Sequence, residues 1–183
     1  MVNLKFYGLG GQGVVTAGKI LSEAVSLIED KYAITIPAYG HERRGAPVNT
    51  SIIIDDEPVL VNSFVYYPDI VLVTDHTIIN KGIDISQGIN ENSTLILNTG
   101  DLNVVKTYAK YNFKNIYYVD GTQVALDNTG MAIPNGSMLG ALAISGIVKI
   151  ESIENAVMNT FGKKAGEGNA RAARAAFEKI QKY

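Results

Sequence analysis

Short runs of consecutive apolar and β-branched residues alternate with segments whose apolar residues recur every three or four positions, the pattern of an α/β fold. Leu4–Gly8 predicts the first strand. Val14–Ile28 predicts the first helix, with Val14, Ala17, Gly18, Leu21, Ala24, Val25 and Ile28 forming one stripe against a sheet. Tyr32–Ile36 and Val48–Ile54 read as further strands, separated by a loop that Pro37, Gly40, Gly45 and Pro47 keep irregular. Asp55-Asp56 is expected to turn the chain into Pro58–Val61 as an antiparallel hairpin. Ile70–Thr74, Thr94–Asn98 and Asn115–Val119 are expected to be buried parallel strands, with a helix over Leu102–Tyr111. Beyond Asp120 the residues Asn128, Gly130, Pro134, Asn135 and Gly136 read as loop. Ser137 then caps a helix Met138–Ser145, and Ile150–Met158 and Gly168–Lys182 close the chain as two helices.

The expected architecture is an open, mostly parallel, twisted sheet with helices on both faces and a β-hairpin addition, Rossmann-like in class. Residues 1–183 are expected to form one domain, since 183 residues suit one core and no linker or repeat divides them. Composition narrows the chemistry. With no cysteine, the chain offers no ligand for a thiolate-bound iron–sulfur cluster, no thiol nucleophile and no redox disulfide. Sixteen basic against eighteen acidic residues give a net charge of −2, which offers no general attraction to nucleic acid or to an anionic membrane. No stretch suggests a signal peptide or a membrane span, so a cytoplasmic location is expected.

The most informative segment is Gly8-Leu9-Gly10-Gly11-Gln12-Gly13, a G-x-G-x-x-G loop between a predicted strand and a predicted helix. Glycines let the backbone turn tightly and approach a ligand, and unpaired N–H groups at a helix start favour an anion. The same glycines would also serve close strand-to-helix packing alone. A nicotinamide or flavin site would want an acid at the end of the second strand, where Ile36-Pro37-Ala38 stand instead. A Walker A loop is nearly supplied by Gly13 through Gly18-Lys19, but Ile20 replaces the hydroxyl that would hold magnesium.

A second informative segment is Ala38-Tyr39-Gly40-His41-Glu42-Arg43-Arg44-Gly45-Ala46-Pro47-Val48. Loops at the carboxyl ends of strands gather at one edge of a doubly wound sheet, so this one is expected to approach the glycine loop. Arg43 and Arg44 suit bidentate capture of phosphate or carboxylate, and pairing with Glu42 is the bland alternative. His41 and His76 are the only imidazoles and have no nucleophile at a recognisable elbow. Asp75-His76, at a strand end, is the better placed for a polar site. No residue is assigned a catalytic or metal-binding role.

Taken together, Gly8–Lys19, Tyr39-Gly40 and Glu42–Val48 resemble the gamma subunits of the 2-oxoacid:ferredoxin oxidoreductases. Met138–Ala143 and the Asn169…Ala173 helix extend the likeness over nearly the whole chain. The Glu-Arg-Arg-Gly-Ala-Pro-Val stretch at Glu42–Val48 resembles the pyruvate branch, a pyruvate synthase converting pyruvate, coenzyme A and oxidised ferredoxin to acetyl-coenzyme A, carbon dioxide and reduced ferredoxin. The resemblance implies a heterotetramer whose alpha, beta and ferredoxin-like delta subunits hold thiamine diphosphate, Mg2+ and [4Fe-4S] clusters. This chain would bind none of these and would contact coenzyme A. In single-chain members of the family the loop corresponding to Gly10–Val14 lies against coenzyme A, and two lysines stand where Arg43 and Arg44 stand here. The implied contacts are therefore the backbone of Gly10, Gly11, Gln12, Gly13 and Val14, the side chains of Arg43 and Arg44, and more weakly Lys19. A branched-chain oxoacid complex, a stand-alone nucleotide-binding regulatory module and a purely structural subunit are the alternatives.

Overall fold

The computed structural model describes residues 1–38 and 44–183. Its seven strands are β1 (Val2–Leu9), β2 (Tyr32–Ala38), β3 (Pro47–Asp55), β4 (Ile70–Val73), β5 (Thr94–Asn98), β6 (Asn115–Val119) and β7 (Gln181–Lys182). They form one sheet in the order β2-β3-β1-β4-β5-β6-β7. β1, β4, β5 and β6 run parallel to their neighbours in that series, whereas β3 runs antiparallel to both β1 and β2, and β7 is antiparallel to β6. Five of the seven strands therefore point one way, the mostly parallel sheet expected. All four residues of β4 are buried, which explains a strand written as a continuous apolar run.

The helices are α1 (Val14–Glu23), α2 (Leu102–Tyr108), α3 (Gly121–Thr129), α4 (Asn135–Leu142) and α5 (Ile150–Lys179). One face of the sheet, through Leu4, Phe6, Ile52, Leu72 and Ile96, packs against α1, α3, α4 and α5. The other, through Tyr7, Val71, Val73, Leu95 and Leu97, packs under a 3-10 turn at His76–Lys81 and under α2. Thus β1 leads to the first face and β4, its parallel neighbour, leads to the second. The seam between them is a switch point, where α/β sheets open a crevice at the carboxyl ends of their strands.

Several expectations are corrected. Pro58–Val61 is not a strand, because both hydrogen-bonding edges of β3 are already occupied, by β2 and by β1. The hairpin is instead β2–β3. The first helix is shorter than expected: α1 ends at Glu23 and a π turn follows over Ala24–Ile28. Helix α3 is not among the expected elements and takes in Asn128, which reads as loop; it is started by Asp120, whose carboxylate accepts the Gln123 N–H at 2.9 Å. Ser137 does not cap α4, which begins at Asn135; its hydroxyl lies 2.6 Å from Gly121 O, tying α4 to the start of α3. The two expected closing helices are both present within α5, longer than expected: the chain breaks between them at Gly162, whose φ 69° and ψ 174° are not helical, and the second ends at Lys179 and passes into β7. The middle of α5, residues 159–167, is mostly exposed and so carries no continuous apolar stripe to read.

Helix α4 is buried along its whole length and lies against α5. At Gly140 a Cβ would fall on the carbonyl of Ala173, inside van der Waals contact with backbone that cannot step aside. Gly140→Ala is therefore expected to cost about 3 kcal/mol, seen as a lower denaturant midpoint with an unchanged slope. The Met138–Ala143 and Asn169–Ala173 segments thus meet each other in the core, and their sequence character is a packing constraint.

Candidate functional site

The ladder between β1 and β3 continues past the strand ends. Gly10 N–H donates to Ala46 O at 2.8 Å, and Gly45 N–H donates to Gly10 O at 3.0 Å. This clamp seats Arg44 beside the glycine loop, its side-chain stem over Gly11. Between them lies a cleft of about 620 Å³, lined by Leu9, Gly10, Gly11, Gly13, Val14, Val15, Thr16, Arg44 and Val48. The two loops therefore meet as the sheet topology predicts. Arg43, His41 and Glu42 lie outside the described residues. Lys19 is exposed farther along α1 and does not line the cleft.

Gly13 precedes α1 with φ 72°, a left-handed conformation that favours glycine, and Asn135 of α4 packs against its Cα. No side chain among the described residues caps this helix. Among the described residues the backbone N–H groups of Gly13, Val14, Val15 and Thr16 have no protein partner, as the first four of a helix do not. Two of the amides expected to face a ligand have other uses: Gly10 N–H is held by Ala46, and Gln12 N–H donates to Leu9 O at 3.1 Å. Of the expected amides, those of Gly11, Gly13 and Val14 have no partner among the described residues, and Val15 and Thr16 extend the set into the first turn of α1. Val15 and Thr16 were legible in principle, because the four orphan amides belong to any helix start once its first residue is placed.

The Gln12 side chain turns inward. Its Oε1 accepts the Leu9 N–H at 3.0 Å and lies 3.1 Å from the Thr74 hydroxyl; its Nε2 donates to Asp75 Oδ2 at 2.6 Å. Asp75 also accepts from the Thr77 N–H and hydroxyl, at 2.9 and 2.6 Å. Burial pushes the Asp75 carboxyl up, but the donors on Thr77 and Gln12, with His76 adjacent, outweigh it and hold the group below the usual aspartate range. Asn98 extends the network, donating to Thr74 O at 2.6 Å and to Thr122 Oγ1 at 2.8 Å.

A second cleft, about 550 Å³, opens over the ends of β4, β5 and β6 and is lined by Asp75, His76, Asn98, Asp101, Asp120 and neighbouring threonines. It is the electrostatic opposite of the first. Each turn that starts there is capped by a carboxylate: Asp75 takes the Thr77 N–H, Asp101 the Asn103 N–H at 2.8 Å, and Asp120 the Gln123 N–H. Of the elements that follow the parallel strands β1, β4, β5 and β6, α1 alone starts without a side-chain cap among the described residues, and Arg44 stands beside that end. Positive partial charge at the helix start and a guanidinium across the cleft are the chemistry that an anion would suit.

The fold and this cleft define an α/β protein with a helix start and an arginine side by side in a cleft at the carboxyl edge of its sheet. The chain belongs to the pyruvate ferredoxin/flavodoxin oxidoreductase family, whose model matches residues 3–179. It is 43% identical over 183 residues to the pyruvate/ketoisovalerate oxidoreductases common subunit gamma of Pyrococcus abyssi, covering 99% of this chain and 98% of that protein. It is 39% identical over 185 residues to pyruvate synthase subunit PorC of Methanocaldococcus jannaschii, covering 100% and 99%. The crystal structure of the pyruvate oxidoreductase subunit PORC of Thermotoga maritima superposes with a TM-score of 0.85 at 33% identity, over 99% of this chain and 97% of that one. The resemblance to gamma subunits is thus borne out, and with it a place in a multi-subunit 2-oxoacid:ferredoxin oxidoreductase. Among the described residues no helix is long and apolar enough to cross a membrane.

Proposed function

We propose that this chain, acting as one gamma-type domain over residues 1–183, serves a pyruvate:ferredoxin oxidoreductase by holding the phosphate groups of coenzyme A in the cleft between the glycine loop and Arg44. The observation that carries the reading is the uncapped start of α1 facing Arg44, beside neighbouring turns that are all capped by aspartates. The donors are the amides of Gly13–Thr16, with Gly11 at the rim and Arg44, together with Arg43, supplying charge. Lys19 is left as a distant contributor to the field. Anchoring the phosphates orients the thiol toward the oxoacid-derived intermediate, a positioning contribution rather than a bond-making one. Thiamine diphosphate with Mg2+ and the [4Fe-4S] clusters belong to alpha, beta and ferredoxin-like delta subunits; this chain, without cysteine, has no donor set for a cluster.

The sheet order supports this over a dinucleotide reading. β3 lies between β1 and β2, so the end of β2 is a strand farther from the glycine loop than in a dinucleotide-binding fold, and it bears no acid. The name of the P. abyssi relative, a common subunit for pyruvate and ketoisovalerate enzymes, supports a chain that handles the shared coenzyme A while other subunits choose the oxoacid. In the purified complex Arg44→Ala should raise the KM for coenzyme A ~10-fold or more and leave that for pyruvate unchanged, as expected for losing a hydrogen bond to a charged group. An unchanged coenzyme A KM refutes the reading.

A further inference from the structure

The Gln12–Asp75 contact has a direction. Gln12 must present its oxygen to the Leu9 N–H and its amide nitrogen to Asp75, because Leu9 N–H can only donate and the Asp75 carboxylate can only accept. Asp75 is in turn oriented by Thr77, which occupies its other oxygen through both N–H and hydroxyl. The pair, 63 residues apart in sequence, therefore bridges the seam between β1 and β4. It folds the glycine loop back on the end of its own strand. In that posture the Gln12 N–H donates to Leu9 O, and the residues that follow, Gly13 to Thr16, line the cleft with amides that have no partner among the described residues.

We infer that Gln12 and Asp75 are positioning residues, whose directional hydrogen bond sets the glycine loop in the one conformation that presents the α1 amides to an anion. Neither side chain touches the ligand: Gln12 and Asp75 do not line the cleft beside Arg44. The inference rests on the anion-site reading above and goes beyond it in assigning the Gln12 side chain, rather than its backbone, the decisive part.

Reversing the polarity of the pair tests it. Gln12→Glu sets a carboxylate against Asp75. Asp75→Asn, whose oxygen is kept by Thr77, sets an amide against the Gln12 amide. In the Gln12→Glu/Asp75→Asn double variant the direction is inverted throughout: the new carboxylate accepts from Leu9 N–H and from the new amide. Assayed in the assembled complex, each single variant should raise the coenzyme A KM ~10-fold with kcat at saturation nearly unchanged, and the double should return to within ~3-fold of wild type. Hydrogen exchange at the Leu9 amide should follow the same order: protected in the wild type, exposed in the singles, protected again in the double. A double variant no better than the singles, or singles with wild-type KM, overturns the inference. A single variant that fails to assemble, beside a double that assembles with near-native KM, supports it. Arg44→Ala separates the two readings: if it leaves the KM unchanged, the anion site itself falls; if it raises the KM while Gln12→Glu does not, only the positioning role falls.

Discussion

Gly8→Ala should destabilise the folded chain by at least about 3 kcal/mol and disorder the glycine loop in the molecules that remain folded. Gly8 is buried in β1, paired with Val48 of β3. A Cβ there would fall on the Thr74 hydroxyl and against Val14 Cγ2, with the Gln12 oxygen only 3.1 Å away. Thr74 is itself fixed, since its backbone N–H donates to Tyr7 O at 2.8 Å and its carbonyl accepts from Asn98. Nothing around the site is the free end of a flexible side chain. Relief requires β1 and β4 to part or α1 to lift, and both loosen the crevice. Thermal or denaturant unfolding of the isolated chain measures the loss, and a stability within ~0.5 kcal/mol of wild type contradicts this account of the packing.

Val15→Pro is the sharpest probe of the amides themselves. Proline is tolerated in the first helical turn because the N–H it lacks has no intrahelical partner. Val15 is the second residue of α1, so the substitution deletes one of the free donors while the helix persists. A hydrogen bond to a charged group contributes about 1.5–3 kcal/mol, so the KM for coenzyme A should rise ~10- to 100-fold, with the circular dichroism and assembly of the complex preserved. Combining it with Arg44→Ala should lose affinity less than additively, because both groups act on one anion. A KM unchanged in Val15→Pro means that the start of α1 is not where the anion sits.

Much of this was written locally. The runs Ile70–Val73, Leu95–Leu97 and Ile116–Val119 are apolar without interruption because the strands are covered on both sides, so the bounds of β4, β5 and β6 were legible nearly residue by residue. The glycine loop was legible for a different reason: a strand, closely spaced glycines and an amphipathic helix constrain one another over some twenty residues. Elements with no periodic stripe were not legible. Helix α4 is buried all round, and residues 159–167 of α5 are mostly exposed and broken at Gly162, so neither has a continuous stripe. Helix α3 begins at a glycine and depends on the Asp120 cap for its start.

The family resemblance, the glycine loop and an arginine available to an anion were properties of the sequence by itself. Which amides are free was decided only in three dimensions. Gly10 is taken by Ala46, 36 residues away, and the Gln12 side chain by Thr74 and Asp75, 62 and 63 residues away. A motif specifies donors, but whether a donor faces a ligand or the protein depends on which distant strand lies beside it. Here the antiparallel insertion of β3 and the seam with β4 made that choice: they occupy the Gly10 N–H and the Gln12 side chain, and leave the backbone amides of Gly11 and of Gly13 to Thr16 without partners among the described residues.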